Sequence, residues 1–231
     1  MAHVKDRQVM AAYDLRYGMK GLQTMAIGYV HPLPIGVAGI GISRMGDELY
    51  NETTVSLGYG YAWEKISMGG RLNYVQIGMA EAGTRQSVSL DIGMRAQLLP
   101  DLTLGVSVCN ASQSAFDRLT KERMPTVMKA GLAYQASAKI MVLAEAGKDV
   151  NFPAVFTAGL EYEIVKNLRL RTGIASRPQT YAFGIGCSPK KLQLDYALRT
   201  HSVLGLSHHL SLQVTLSRKK VNRSSTAVSV Q

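Results

Sequence analysis

The sequence contains no uninterrupted apolar run of about 18 residues, which excludes a bundle of transmembrane helices. Charge is scarce as well, at 18% Asp, Glu, Lys and Arg against roughly 25% in an average soluble protein. There are two cysteines, Cys109 and Cys187, too few and too far apart for a disulfide scaffold or a CxxC site. Aromatic residues make up 7% and Trp63 is the single tryptophan. These shortages leave one kind of membrane protein open. A barrel strand alternates lipid-facing with lumen-facing residues, so its hydropathy averages out. A mean hydropathy of +0.01 is what such an average gives.

Acidic residues are the scarcer sign, 16 against 26 basic, for a net charge of +10. An excess of that size invites a nucleic-acid partner, but a phosphate-tracking groove gathers its Lys and Arg on one face with stacking aromatics between them. Here the bases are spread along the chain, and four of them, Arg218, Lys219, Lys220 and Arg223, sit in a polar tail at 218–231. No nucleic-acid partner is expected. The start, Met1 to Arg7, is charged but has no apolar h-region and no small-residue cleavage site. Taken literally, that places the chain in the cytoplasm.

What the sequence does have is alternation of period two. In 87–98, Val88, Leu90, Ile92, Met94, Ala96 and Leu98 share one face, opposite Ser87, Ser89, Asp91, Gly93, Arg95 and Gln97. In 54–63, Val55, Leu57, Tyr59, Tyr61 and Trp63 oppose Thr54, Ser56, Gly58, Gly60 and Ala62. No helix of 3.6 residues per turn sorts residues this way. The same division recurs to the end of the chain and predicts fourteen strands: 8–16, 22–31, 35–43, 52–63, 65–77, 87–98, 102–110, 126–135, 138–146, 154–165, 167–175, 180–188, 191–200 and 206–217. The first is the weakest, and 139–147 carries apolar residues on both faces.

Between these strands, tight connections at 31–34, 63–65, 99–101, 135–138, 166–167 and 189–191 alternate with longer ones at 44–51, 78–86, 111–125, 147–153, 176–179 and 201–205. Pro, Asn and Asp in the tight set are turn residues. A meander with short turns at one end and long loops at the other is the build of an outer-membrane barrel. The expected fold is therefore all-β, an up-and-down antiparallel transmembrane barrel of about fourteen strands in one domain, 1–217, followed by a basic tail, 218–231. A soluble β-sandwich or lipocalin-like ligand-binding barrel is the competing architecture, since alternation alone does not say which face meets water. Against it stands a polar face rich in Gly, Ser and Thr, which suits a crowded lumen better than a solvated surface.

The chemistry-bearing motifs are absent: no GxSxG, HExxH or P-loop occurs, and the Gly58 to Gly60 and Gly184 to Gly186 pairs are strand glycines. His201, His208 and His209 cluster in sequence, but His208 and His209 are strand neighbours pointing to opposite faces, which spoils joint metal ligation. Neither an enzyme nor a cofactor nor a metal is expected. The polar face carries Arg71, Asp91, Arg95, Lys129, Glu161, Glu163, Arg169, Arg171, Asp195 and Arg199, which are assigned to the lumen. Their mixed signs point to internal ion pairs or to a polar conduit. Tyr61, Trp63, Tyr134 and Tyr162 fall near the short-turn ends of their strands, where an interfacial aromatic girdle belongs. The longest loop holds Phe116, Arg118, Lys121, Glu122 and Arg123 and is the expected partner-contact surface.

Several stretches resemble one family. Gly46-Asp47-Glu48-Leu49-Tyr50-Asn51-Glu52, Ala12-Tyr13-Asp14-Leu15-Arg16, Glu122-Arg123-Met124-Pro125-Thr126 and the closing Leu192-Gln193-Leu194-Asp195-Tyr196-Ala197 with Leu204-Gly205-Leu206-Ser207-His208 are similar to PorV/PorQ-type outer-membrane proteins, a branch of the FadL-like barrels. So are Leu170-Arg171-Thr172-Gly173 and Phe183-Gly184-Ile185-Gly186. The resemblance implies an accessory of type IX protein secretion or cell-surface attachment, set in outer-membrane lipid and meeting secretion components or their cargo. A FadL-like channel for hydrophobic or small solutes is the alternative it leaves. Family members begin with a signal peptide and a Gly/Ala-rich segment that enters the lumen as a hatch. Neither is present, so the expectation is a chain truncated at its N-terminus.

Overall fold

The computed structural model describes residues 4–81, 83–117 and 122–216. The first half of the barrel wall is built from β1 (Arg7–Leu15), β2 (Gln23–Pro32), β3 (Val37–Gly46), β4 (Tyr50–Trp63), β5 (Ile66–Met79), β6 (Gly83–Gln97) and β7 (Leu102–Cys109). Two short strands, β8 (Ala115–Asp117) and β9 (Glu122–Arg123), pair with each other outside the wall. The second half is β10 (Val127–Gln135), β11 (Ile140–Asp149), β12 (Val155–Val165), β13 (Leu168–Ser176), β14 (Gln179–Cys187), β15 (Leu192–His201) and β16 (Gly205–Leu216). Every wall strand pairs antiparallel with its neighbours in sequence, and β1 pairs with β16 from Arg7↔Leu216 to Leu15↔His208, so fourteen strands close into a barrel. Closure leaves neither the first nor the last strand as a sheet edge.

All fourteen expected strands are present, in the expected order. Their loop-side ends are where pattern and structure part. β3 runs on to Gly46, β6 begins at Gly83 and β11 continues to Asp149, because backbone pairing persists after the apolar alternation stops, as at Gly78↔Thr84 and Ile77↔Arg85. Four connections expected to be long shrink accordingly, to 47–49, 80–82, 177–178 and 202–204. Length is concentrated in 16–22, which holds two 3-10 turns, and in 110–126. The motif at Gly46 to Tyr50 is one of the tight turns: Asp47 Oδ1 accepts from the backbone N–H of Leu49 and Tyr50 at 2.9 and 3.1 Å. Gly46 has φ +102°, and a Cβ there would run into the Tyr50 carbonyl, so only glycine fits the turn.

The distribution of side chains is inverted relative to a water-soluble barrel. Among the described residues the buried apolar side chains are Val30, Val37 and Val75, whereas the buried polar ones include Ser67, Asn73, Ser87, Ser89 and Ser207. Large apolar residues such as Leu57, 61% exposed, stand on the outside of strand after strand. An apolar surface of that extent is stable against lipid and not against water.

One stretch of wall is uneven. β6 has fifteen residues and β7 only eight, and the two pair only from Ile92↔Val108 to Gln97↔Thr103. Above that level the segment that follows β7 supplies the missing partners. Ala111 N–H donates to the Leu90 carbonyl at 2.7 Å, Leu90 N–H donates to Ser112 Oγ at 3.1 Å, and Ser87 Oγ donates to the Ala115 carbonyl at 3.0 Å.

Candidate functional site: the inner face of the barrel

Alternation sends every second residue inward, and the inward positions are small. Gly28, Gly41, Gly58, Gly60, Gly69, Gly93, Gly105 and Gly131 line one continuous cavity of about 1060 Å3 on the side of the barrel formed by β2 to β11. Glycine and serine keep the wall thin, and the space left over is occupied by charged side chains that reach across several strands.

On β5 and β6, Arg71 stands opposite Asp91 in register and forks onto it, with Nε at 3.1 Å and Nη2 at 2.7 Å from Oδ2. The same oxygen accepts from Asn73 Nδ2 at 2.9 Å, and Asn73 Oδ1 accepts from Ser56 Oγ at 2.7 Å. Asp91 Oδ1 accepts from the backbone N–H of Asn110 at 2.8 Å, which ties the long connection to the wall. Asn110 in turn organises that connection: its Nδ2 donates to the Met124 carbonyl at 2.9 Å and its Oδ1 accepts from Ser114 N–H at 2.9 Å.

A second network crosses β12 to β15. Glu161 accepts from Arg171 at 2.6 Å and lies 3.8 Å from Arg169. Arg171 also reaches Asp195, which takes a further bond from Gln193 Nε2 at 2.7 Å. Arg169 completes its set with Ser188 Oγ at 2.5 Å, although its register partner is Glu163. Half-buried ion pairs of this kind rigidify a bore when each charge is met by its partner.

Lys129 pairs with Glu145 at 3.2 Å. Glu145 was not among the expected lumen charges because β11 also points Met141 and Leu143 inward, which blurs its two faces. Asp14, another unexpected member, pairs with His209 across the β1/β16 seam. His209 therefore faces in, while His208 faces out to Tyr196, whose hydroxyl is 2.9 Å from its Nδ1. Near Asp14, Thr24 Oγ1 and His209 Nε2 are buried without a hydrogen-bond partner. No group of three metal-ligating side chains forms among the described residues. Arg95, Glu163 and Arg199 have no ion-pair partner among the described residues, and Arg95 and Arg199 are exposed to the bore.

On the outer face, Tyr61 and Trp63 lie at the turn end of β4, Tyr134 at that of β10 and Tyr162 near that of β12, all exposed. At the opposite end of the same face stand Phe156 and Tyr181, which the sequence pattern had not singled out because they lie at the starts of strands running down from the loops. In the long connection, Phe116 sits in β8 half-buried, and Glu122 and Arg123 form β9. Arg118 and Lys121 lie outside the described residues, as does the 218–231 tail.

No family model matches the sequence, and no curated protein matches it either. Solved structures do. The chain is similar to the CymD monoaromatic hydrocarbon channel with a TM-score of 0.68 at 12% identity, over 92% of this chain and 89% of that one. It is similar to the Pseudomonas putida toluene transporter TodX with a TM-score of 0.59 at 11% identity, over 92% of this chain and 88% of that one. A Pseudomonas aeruginosa FadL homologue gives a TM-score of 0.59 at 10% identity, over 93% and 91% of the two chains. At these identities the likeness is one of fold: the chain has the architecture of outer-membrane barrels, among them FadL-like ones.

Proposed function

We propose that the chain is an outer-membrane channel that passes hydrophobic or small polar solutes through its lumen. The observation that carries this reading is the inverted barrel, apolar outside and small or charged inside, with an open cavity of about 1060 Å3 along its inner wall. Tyr61, Trp63, Tyr134 and Tyr162 then act as the girdle at the turn-side interface of the membrane. The ion pairs of Arg71 with Asp91 and of Arg171 with Glu161 and Asp195 hold the wall rigid around the bore. Likeness to a monoaromatic hydrocarbon channel and a toluene transporter favours this reading over the secretion accessory that the PorV/PorQ resemblance implied. The test is reconstitution of the folded chain in planar bilayers and in liposomes. Stepwise conductance and solute uptake above protein-free controls are expected. A folded barrel that gives neither, and that instead co-purifies with secretion components, refutes the channel.

A further inference from the structure

The pairing register lays out part of the inner wall as a small grid. One row of residues in register runs Gly69, Gly93, Ser107, Lys129 across β5, β6, β7 and β10. The row toward the loops begins with Arg71 and Asp91, and the row toward the turns runs Ser67, Arg95, Gly105, Gly131. Strands about 4.8 Å apart, with inward residues about 6.8 Å apart along each, make this a patch on the order of 14 Å across. Its centre, Gly69, Gly93, Gly105 and Gly131 with Ser67 and Ser107, is bare of any side chain larger than a hydroxymethyl. Three cations stand at its rim.

Two of those cations are balanced, Arg71 by Asp91 and Lys129 by Glu145, but Arg95 has no ion-pair partner among the described residues. Among the described residues the patch therefore carries one net positive charge, on the Arg95 guanidinium. Among the described residues Arg71 spends Nε and Nη2 on Asp91 and leaves Nη1 without a bond, and the Lys129 ammonium has one ion-pair contact for three donors. Donors in excess of acceptors around a flat glycine floor match a planar anion, whose oxygens take charge-assisted bonds from the rim while its body lies on the peptide planes. Met10, Val30 and Leu143 line the rest of the same cavity and suit an apolar body.

The geometry points to a binding site for a compact, planar organic carboxylate on the β5, β6, β7 and β10 wall, with Arg95 as its principal anchor. The site names a solute for the proposed channel and rests on that reading, but its binding is measurable without conduction. The probe is sodium benzoate, with benzamide as its neutral counterpart, titrated calorimetrically into the chain folded in detergent micelles. Benzoate is expected to bind at least about tenfold more tightly than benzamide, and Arg95→Gln to remove about that factor, the worth of one charge-assisted bond. Arg95→Lys keeps the charge and restores part of the affinity, which Gln does not. Arg199→Gln, on the other side of the bore, leaves benzoate affinity within roughly twofold. Heat-modifiable migration shows that each variant is folded. Equal affinity for benzoate and benzamide, no benzoate binding, or indifference to Arg95→Gln overturns the site. A barrel that conducts yet binds no benzoate loses the site and keeps the channel. One that binds benzoate and never conducts keeps the site and loses the channel.

Discussion

Arg171 and Asp195 meet across an intervening strand: Nη1 lies 2.5 Å from Oδ1, although β14 runs between β13 and β15. The span is open because the β14 residues beneath it are Gly184, opposite Arg171, and Gly186, opposite Asp195. A Cβ on Gly186 would run into the Asp195 carboxylate and come within 3.1 Å of Arg171 Nη1. These two glycines thus serve the contact above them.

Gly186→Val is therefore expected to break the brace and destabilise the barrel by about 1–3 kcal/mol, the usual penalty of overpacking. Gly105→Ala, where an added Cβ meets nothing within 4 Å, is the matched control and should be close to neutral for folding. Denaturant titration of the two variants in micelles, followed by heat-modifiable migration, separates them. Equal stabilities would mean that the Arg171 contact does not constrain β14.

Asp91 holds three groups at once, the Arg71 guanidinium, the Asn73 amide and the backbone N–H of Asn110. Asp91→Ala should leave Arg71 unpaired and release the start of the 110–126 connection. Faster cleavage of that segment by limited proteolysis is expected, with the 150–154 connection unaffected. Unchanged cleavage would show that the Asn110 side-chain bonds hold the segment unaided.

Lipid exposure makes a depth-dependent prediction. Leu57→Arg places a charge midway along the outer face of β4 and should destabilise the membrane-folded barrel by about 2–4 kcal/mol, whereas Trp63→Arg, at the strand's turn end, should do so by about 0–1 kcal/mol from charge burial. Folding titrations into liposomes measure both. If the two substitutions behave alike, the outer face does not cross a bilayer in this orientation.

Trp63 is the only tryptophan and is 71% exposed on that face. Its emission is expected to shift to the blue when the chain passes from urea into bilayers, and lipids brominated near the headgroup should quench it more strongly than lipids brominated at the chain ends. Stronger quenching from the bilayer centre would move the girdle away from the interface.

Strand number and order were legible in the sequence because period-two alternation needs only one apolar face against one polar face, and segments such as 87–98 and 54–63 keep that contrast along their whole length. The loop-side ends were not, since pairing at Gly78↔Thr84 is made by backbone and leaves no mark in side-chain pattern. Arg71 with Asp91 and Glu161 with Arg171 could be placed on one face from parity, but which charges meet depends on register. Arg169 illustrates the limit: it faces Glu163 in register and bonds to Glu161 and Ser188 instead. Glu145 carries no clear lumen signal in the sequence because Met141 and Leu143 share its face, and Asp14 carries none because its strand has the weakest alternation.

The mismatch between β6 and β7 gives the 110–126 segment an unusual standing. Loops ordinarily tolerate insertion and deletion because the elements they join are complete without them. Here Ala111 and Ser112 satisfy the Leu90 C=O and N–H that a β7 of full length would have bonded, and Ala115 accepts from Ser87 Oγ beside them. Shortening this connection would uncover backbone at membrane level, where an unpaired N–H or C=O costs several kcal/mol. The first residues of the chain's longest excursion thus stand in for wall, and in a lineage of such barrels its length should drift only together with that of β7.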